Sequence, residues 1–177
     1  MNRLSKLAIK YGTDKVPING HSYTPYYHKL FKDMKVGKLL EIGMGYPETM
    51  QHLPDYKIGA SLRMWRDYFP KAMIYGCDIK PTTMFKGNRI KTFICDQSDK
   101  DSLMAMMNFI GNVDIIIDDG SHKTEHQIFT AKVLRPFTKV YIIEDVKEPE
   151  RILAEFPKAT VKSFLKTNPR DDRLVIL

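Results

Sequence analysis

Cysteine is scarce in this sequence: Cys77 and Cys95 are the only two among 177 residues, and each sits in an apolar, strand-like stretch. They offer no zinc-finger spacing and suit two buried thiols in a reducing compartment. No apolar run approaches the ~20 residues that cross a bilayer. The N-terminal MNRLSKLAIKYGTDK has basic residues but neither an apolar core segment nor a small-residue cleavage site. No signal peptide is therefore expected, and the expected location is cytoplasmic. Internal repeats, low-complexity tracts and Ser/Pro-rich linkers are also lacking, so residues 1–177 are expected to form one domain.

Charge is plentiful but not concentrated. Lysine and arginine number 28 against 21 acidic residues, a formal net charge of +7. The lysines are dispersed: Lys29, Lys32, Lys35 and Lys38 suit a solvated helix face and the turn after it. Without a dense basic tract or an aromatic ribonucleoprotein motif, nucleic acid is not the expected partner, although charge alone does not exclude it.

What is present is an alternation of short apolar runs with longer amphipathic ones. Strands are expected at Lys38–Ile42, Met73–Asp78, Ile90–Cys95, Val113–Asp118 and Val140–Glu144, with two more near Thr160–Leu165 and Arg173–Leu177. Helical patterns fall at about Tyr26–Met34, Ser61–Tyr68, Lys100–Phe109, Thr124–Leu134 and Glu148–Glu155, with Asp99 and Thr124 as N-caps. The alternation predicts an α/β, Rossmann-like, doubly wound sheet of seven strands. Near-continuous apolar runs suit parallel strands buried on both faces. The segment KTNPRDD leaves no room for a helix between the last two strands, so they are expected to form an antiparallel hairpin at the sheet edge.

Ligands of such sheets sit at the carboxyl ends of the strands, which gives weight to the residue that follows each one. The first strand runs into Glu41, Gly43 and Gly45, an E-x-G-x-G turn in which glycine permits close backbone approach. The second ends in Asp78, suited to accept from ribose hydroxyls, and the third runs into Asp96 and Gln97, with Asp96 suited to an adenine amino group. Full G-x-G-x-x-G spacing is missing, and Pro47 has no N–H to offer a pyrophosphate. A nucleoside without phosphates fits better, and S-adenosylmethionine is such a ligand.

These features resemble the class I S-adenosylmethionine-dependent methyltransferases, and more narrowly the metal-dependent sugar O-methyltransferases of the macrocin, mycinamicin and rhamnosyl type. The likeness is carried by YGTDK (11–15), HSYTPYYHKLF (21–31), LLEIGMG (39–45), GASLRMWRDYFP (59–70), DQSD (96–99), IIDDGSHKTEHQ (116–127) and IIEDV (142–146). SLRMWRDYFP and DDGSH are the parts specific to this branch. The resemblance implies that Glu41, Gly43 and Gly45 shape a cofactor pocket, with Asp78 on the ribose and Asp96 and Gln97 near the adenine. It implies that Ser61 and Arg63 open a helix beside the cofactor, and that Lys15, His21 and Tyr26 belong to an N-terminal helical cap, residues 1–36, folded over it. Packing or capping of the first helix is equally open for His21 and Tyr26. Trp65 and Phe69, four apart on one helix face, are expected in the core.

Asp118 and Asp119 close the fourth strand, and Glu144 and Asp145 the fifth. Four carboxylates at neighbouring strand ends would raise one another's pKa unless a cation binds, and a hard divalent ion such as Mg2+ resolves the conflict. The resemblance implies Asp119, Glu144 and Asp145 as its ligands. Asp118 stays open between bonding loop amides and facing the methionine end of the cofactor. His122, three residues after Asp119, is placed beside a coordinated hydroxyl as the catalytic base. His126 faces either the same cleft or its own helix.

The expected activity is therefore Mg2+-dependent methylation of a sugar or glycoside hydroxyl. The relatives usually carry a glycine pair after LRP, where this chain has LRPFT (134–138). Their auxiliary N-terminal domain has no counterpart in these residues, so the acceptor pocket does not carry over. Two other readings stand beside this one: an RNA methyltransferase, suggested by the net charge, and a non-catalytic cofactor-binding protein, against which the intact Asp119, His122 and Glu144–Asp145 speak. The partner expected is a small-molecule or glycan acceptor, with a homo-oligomer left open.

Overall fold

A computed structural model describes residues 1–53, 55–164 and 172–177. Five parallel strands form its centre: β1 (Lys38–Ile42), β2 (Met73–Asp78), β3 (Ile90–Ile94), β4 (Val113–Asp118) and β5 (Thr138–Ile143). Strands β6 (Thr160–Ser163) and β7 (Arg173–Ile176) form the antiparallel hairpin, giving the order β3-β2-β1-β4-β5-β7-β6. The expected seven-stranded, doubly wound sheet is observed. Leu165, which the sequence placed in β6, and positions 166–171 of the connecting segment lie outside the described residues.

Side-chain alternation along the strands divides the core into two layers. Leu39, Ile74, Ile115, Ile117 and Ile142 face helices α1 (Arg3–Tyr11), α2 (Tyr23–Phe31) and α3 (Ala60–Tyr68). Leu40, Ile42, Ile116, Tyr141 and Ile143 face α4 (Lys100–Ile110), α5 (Thr124–Leu134) and α6 (Pro149–Glu155). Each such side chain, fully buried, contributes about 1.5–3 kcal/mol. Trp65 and Phe69 stack at 6.1 Å within the first layer, as their helical spacing predicts.

Helix α1 lies within the helical cap expected over residues 1–36, which gave it no bounds of its own. The Asn2 side chain accepts from Ser5 N at 2.9 Å, and Gly12 closes the helix at φ 68°, its N–H reaching the Ala8 and Ile9 carbonyls. Asp99 caps α4 by accepting from Asp101 N, as expected, whereas Thr124 lies inside α5 and Lys123 takes the cap position. Beyond the far end of α3, Arg89 donates to the carbonyls of Arg66, Phe69 and Ala72 at 2.7–3.0 Å, tying the last turn of the helix to the turn that follows it.

The N-terminal helices pack on the face of the sheet, not over its carboxyl edge. Their connector, residues 12–22, reaches the strand ends through Lys15, and the first turns of α2 reach them through the Tyr23 and Tyr27 hydroxyls. Among the described residues, no helix is long and apolar enough to cross a membrane.

Candidate active site

Strand order reverses between β1 and β4, and the strand ends open there into a cavity of about 600 Å³. Gly43, Gly45, Asp78, Asp96, Gln97 and Asp119 all line it. Asp78 ties two turns together: Oδ2 accepts from Met44 N and Oδ1 from Lys80 N, each at 3.0 Å. Asp96 Oδ1 accepts from Ser98 N and Ser98 Oγ at 2.8 and 2.6 Å, which holds its carboxyl below the usual range. Both carboxylates are thereby fixed against the cavity by backbone donors.

At the opposite side of the cavity, donor atoms of Asp119, His122 and Asp145 lie within 4.8 Å of one another. His122 and Asp145 are each at φ 53°, a left-handed conformation that costs a non-glycine residue roughly 1–2 kcal/mol. Both turn back toward the cavity at the ends of β4 and β5. Burial, followed by the charge of Asp119, pushes Asp145 up to about 6 against the opposing pull of His21 and His122. The Tyr23 hydroxyl donates to Asp145 Oδ1, and His21 Nδ1 stands 3.5 Å from the same oxygen.

Strand parity explains why other acidic residues stay out of the cavity. Glu41 and Glu144 point into the α1–α3 layer. There Lys15 Nζ approaches Asp119 at 2.5 Å, Glu144 at 2.6 Å and Glu41 at 3.3 Å, with its side chain 1% exposed. Burial opposes its charge, but Asp119, Glu144 and Glu41 outweigh that and raise the Lys15 pKa well above its ordinary value. The second Glu144 oxygen accepts from Tyr27 at 2.6 Å. Glu144, expected beside a metal, has both oxygens engaged by protein donors. Burial pushes Glu41 up to about 7 despite Lys15.

Asp118 points the other way, into the α4–α6 layer, and is fully buried. Gln97 Nε2 donates to it at 3.2 Å and the Tyr141 hydroxyl at 2.9 Å; burial pushes it up to about 6 against these bonds. It braces strands instead of facing the cavity. Gln97 also accepts from Ser121 N at 2.6 Å, so it supports the loop carrying His122. Ser61 lies beside the Glu41 carboxyl, Arg63 donates to the Ile58 carbonyl and lies over Phe85, and Tyr26 packs on Phe164. Of these, only Gln97 lines the cavity.

No family model matches the chain. It is 36% identical over 151 residues to 8-demethyl-8-alpha-L-rhamnosyl tetracenomycin-C 2'-O-methyltransferase of Streptomyces olivaceus, covering 81% of this chain and 38% of that protein. It is 37% identical over 148 residues to mycinamicin VI 2''-O-methyltransferase of Micromonospora griseorubida, covering 81% and 36%. A solved structure of the MycE methyltransferase with Mg, SAH and mycinamycin VI superimposes with a TM-score of 0.72 at 34% identity, over 85% of this chain and 39% of that one. The chain is homologous to these sugar O-methyltransferases. It spans well under half the length of the relatives it matches.

Several cavity residues of this methyltransferase homologue were not read from the sequence. Asp14, His52 and Tyr46 line the cavity, and Lys80 Nζ sits 3.4 Å above the Tyr46 ring centroid. They come from irregular segments without periodicity to announce them. Tyr23 and Tyr27 did carry a signal, since two hydroxyl-bearing rings four apart on one helix face can reach the same acidic strand end. His126 joins the cavity wall and meets Ser121 Oγ at 2.9 Å.

Proposed function

We propose that this chain is an S-adenosylmethionine-dependent, Mg2+-dependent O-methyltransferase that acts on a hydroxyl of a sugar or glycoside. One observation carries the reading: a single cavity has Asp78 and Asp96 on one side and the Asp119, His122 and Asp145 cluster on the other. Asp78 suits ribose hydroxyls, because each carboxylate oxygen retains a lone pair beyond its backbone donor. Asp96 suits the adenine amino group.

Oxygen-rich donors within 4.8 Å of one another fit a hard divalent ion. Such an ion would lower the pKa of a coordinated hydroxyl. In this reading Asp119 and Asp145 orient the acceptor and His122 takes its proton as the oxygen attacks the methyl carbon. A sulfonium methyl is already activated, so alignment of oxygen, carbon and sulfur is the protein's main task. The rhamnosyl group that one relative is named for, and the Mg and SAH bound to the MycE methyltransferase, support the same chemistry.

The test is a screen of sugars, sugar nucleotides and small glycosides with methyl-labelled S-adenosylmethionine, with and without Mg2+. Mg2+-dependent label on a glycosidic acceptor is expected. Tight S-adenosylhomocysteine binding with no transfer to any acceptor hydroxyl would remove the reading.

A further inference from the structure

Two thiols stand immediately behind the carboxylates read above as holding the cofactor. Cys77 precedes Asp78 at the end of β2, and Cys95 precedes Asp96 just beyond β3. Cys77 pairs with Phe93 across the two strands, and Cys95 lies two residues further along. The thiols are therefore diagonal neighbours on one face, both in the α4–α6 layer, and they lie beside each other there. Cys77 is fully buried, whereas Cys95 also borders the cavity.

Backbone and side-chain bonds couple both residues to the cofactor end of the cavity. Cys95 N donates to the Asp78 carbonyl at 2.9 Å, and Gly43 N donates to the Cys77 carbonyl at 2.8 Å. Ser102 Oγ accepts from Asp96 N at 3.0 Å and donates to Cys95 Sγ at 3.5 Å. The Cys77 thiol, with help from Ser102 and against burial, lowers Cys95 from 9.0 to about 7, so much of it is thiolate at neutral pH.

We propose that Cys77 and Cys95 form a reversible disulfide when a peroxide enters the cavity, and that this bond weakens cofactor binding. The effect on the cofactor rests on the functional reading above; formation of the bond does not. The Cys95 thiolate attacks one peroxide oxygen: an S–O bond forms, the O–O bond breaks, and hydroxide leaves to become water on protonation. Cys77 then gives up its proton and attacks the Cys95 sulfur, so the S–S bond forms, the S–O bond breaks and a second water leaves. Two thiols are oxidised and one peroxide is reduced to two waters. Diagonal neighbours are spaced more widely than directly paired ones, so closure draws the Cys95 backbone toward β2 and moves Asp96 with it. A bond that displaces backbone is more easily reduced than a relaxed one, which makes it reversible.

The test treats the reduced protein with hydrogen peroxide and follows intact mass, peptide mapping and S-adenosylhomocysteine affinity by calorimetry. Wild type is expected to lose two hydrogen atoms in a Cys77–Cys95 link within one chain. Its affinity is expected to fall about tenfold or more. Dithiothreitol should restore both, and because it leaves methionine sulfoxide in place, recovery separates the thiols from methionine oxidation. Cys77→Ala, left without a resolving thiol, should instead carry oxygen on Cys95 that dimedone traps. A wild type that keeps both thiols free, or links them only between chains, overturns the proposal, whether or not the variant folds. A Cys77–Cys95 link that leaves affinity unchanged overturns the control of binding, and no dimedone label on Cys95 in the folded variant overturns Cys95 as the attacking thiol. If the reduced protein binds no S-adenosylhomocysteine, the cofactor reading falls instead, and the mass measurement still decides whether the bond forms.

Discussion

Gly43 and Asp119 approach so closely that a Cβ on Gly43 would lie 2.0 Å from the Asp119 carbonyl oxygen. The ends of β1 and β4 are locked there, with Asp119 N donating to the Ile42 carbonyl at 2.8 Å. Gly43→Ala is expected to lower the unfolding midpoint by about 10 °C and to abolish S-adenosylhomocysteine binding, because backbone cannot yield as a flexible side chain does. Gly12→Ala is the control: Gly12 also has positive φ, but nothing lies within 4 Å of its added Cβ. It should cost only about 1–2 kcal/mol and leave ligand binding intact. Equal effects of the two substitutions in a calorimetric comparison would refute the steric argument.

His122 and Asp78 should separate chemistry from cofactor binding. Asparagine tolerates the left-handed backbone that His122 adopts, so His122→Asn removes the base with little strain. Turnover should fall about 10²–10⁴-fold while S-adenosylhomocysteine affinity stays within about twofold. Asp78→Ala should instead weaken that affinity by about tenfold or more in calorimetry. Normal turnover of the first variant, or normal affinity of the second, removes the corresponding role.

Gln97 joins Asp118, Thr130 and the Ser121 amide in one buried junction. Gln97→Leu keeps much of the volume but strands these groups, at a cost of about 2–3 kcal/mol. Denaturant unfolding should show this loss, and hydrogen exchange of the Ser121 amide should quicken. Protection equal to wild type would mean that the junction does not hold the loop.

Asp67 gives a pH dependence away from the site. Partial burial opposes its charge, but the Tyr11 hydroxyl, Arg66 and Lys10 together bring it from the ordinary 3.8 down to about 2. A depressed carboxyl stabilises the fold above its unfolded pKa and loses that contribution as pH falls through the folded one. About 1–2 kcal/mol, allowing for partial exposure, should therefore disappear between roughly pH 4 and pH 2. Asp67→Asn should be less stable than wild type at pH 6, and the gap should close near pH 2. A gap that persists at pH 2 would assign the effect to packing of α1 on α3.

The strands and their acidic ends were legible because a buried parallel strand reads as an apolar run and its first charged residue marks the carboxyl edge. Val113–Asp118 and Met73–Asp78 were placed to the residue for that reason. Helix α1 was anticipated only as part of a helical cap over residues 1–36, without bounds, although Leu4 and Ala8 fall on one buried face of it. The cavity residues Asp14, His52 and Tyr46 had no periodic neighbours to place them.

The sequence alone determined the seven-strand order of elements, the glycine turn and the set of carboxylates at the strand ends, all of which follow from local pattern. Tertiary structure decided which of those carboxylates meet. Alternation sent Glu41 and Glu144 to one layer and Asp118 to the other, left-handed turns at His122 and Asp145 brought two donors back to the cavity, and Lys15, 104 positions before Asp119, came to sit among three acids. Periodicity governs the direction of a side chain within its own element. It carries no information about which distant charge fills the space in front of it, and that choice belongs to packing and to the electrostatics of burial.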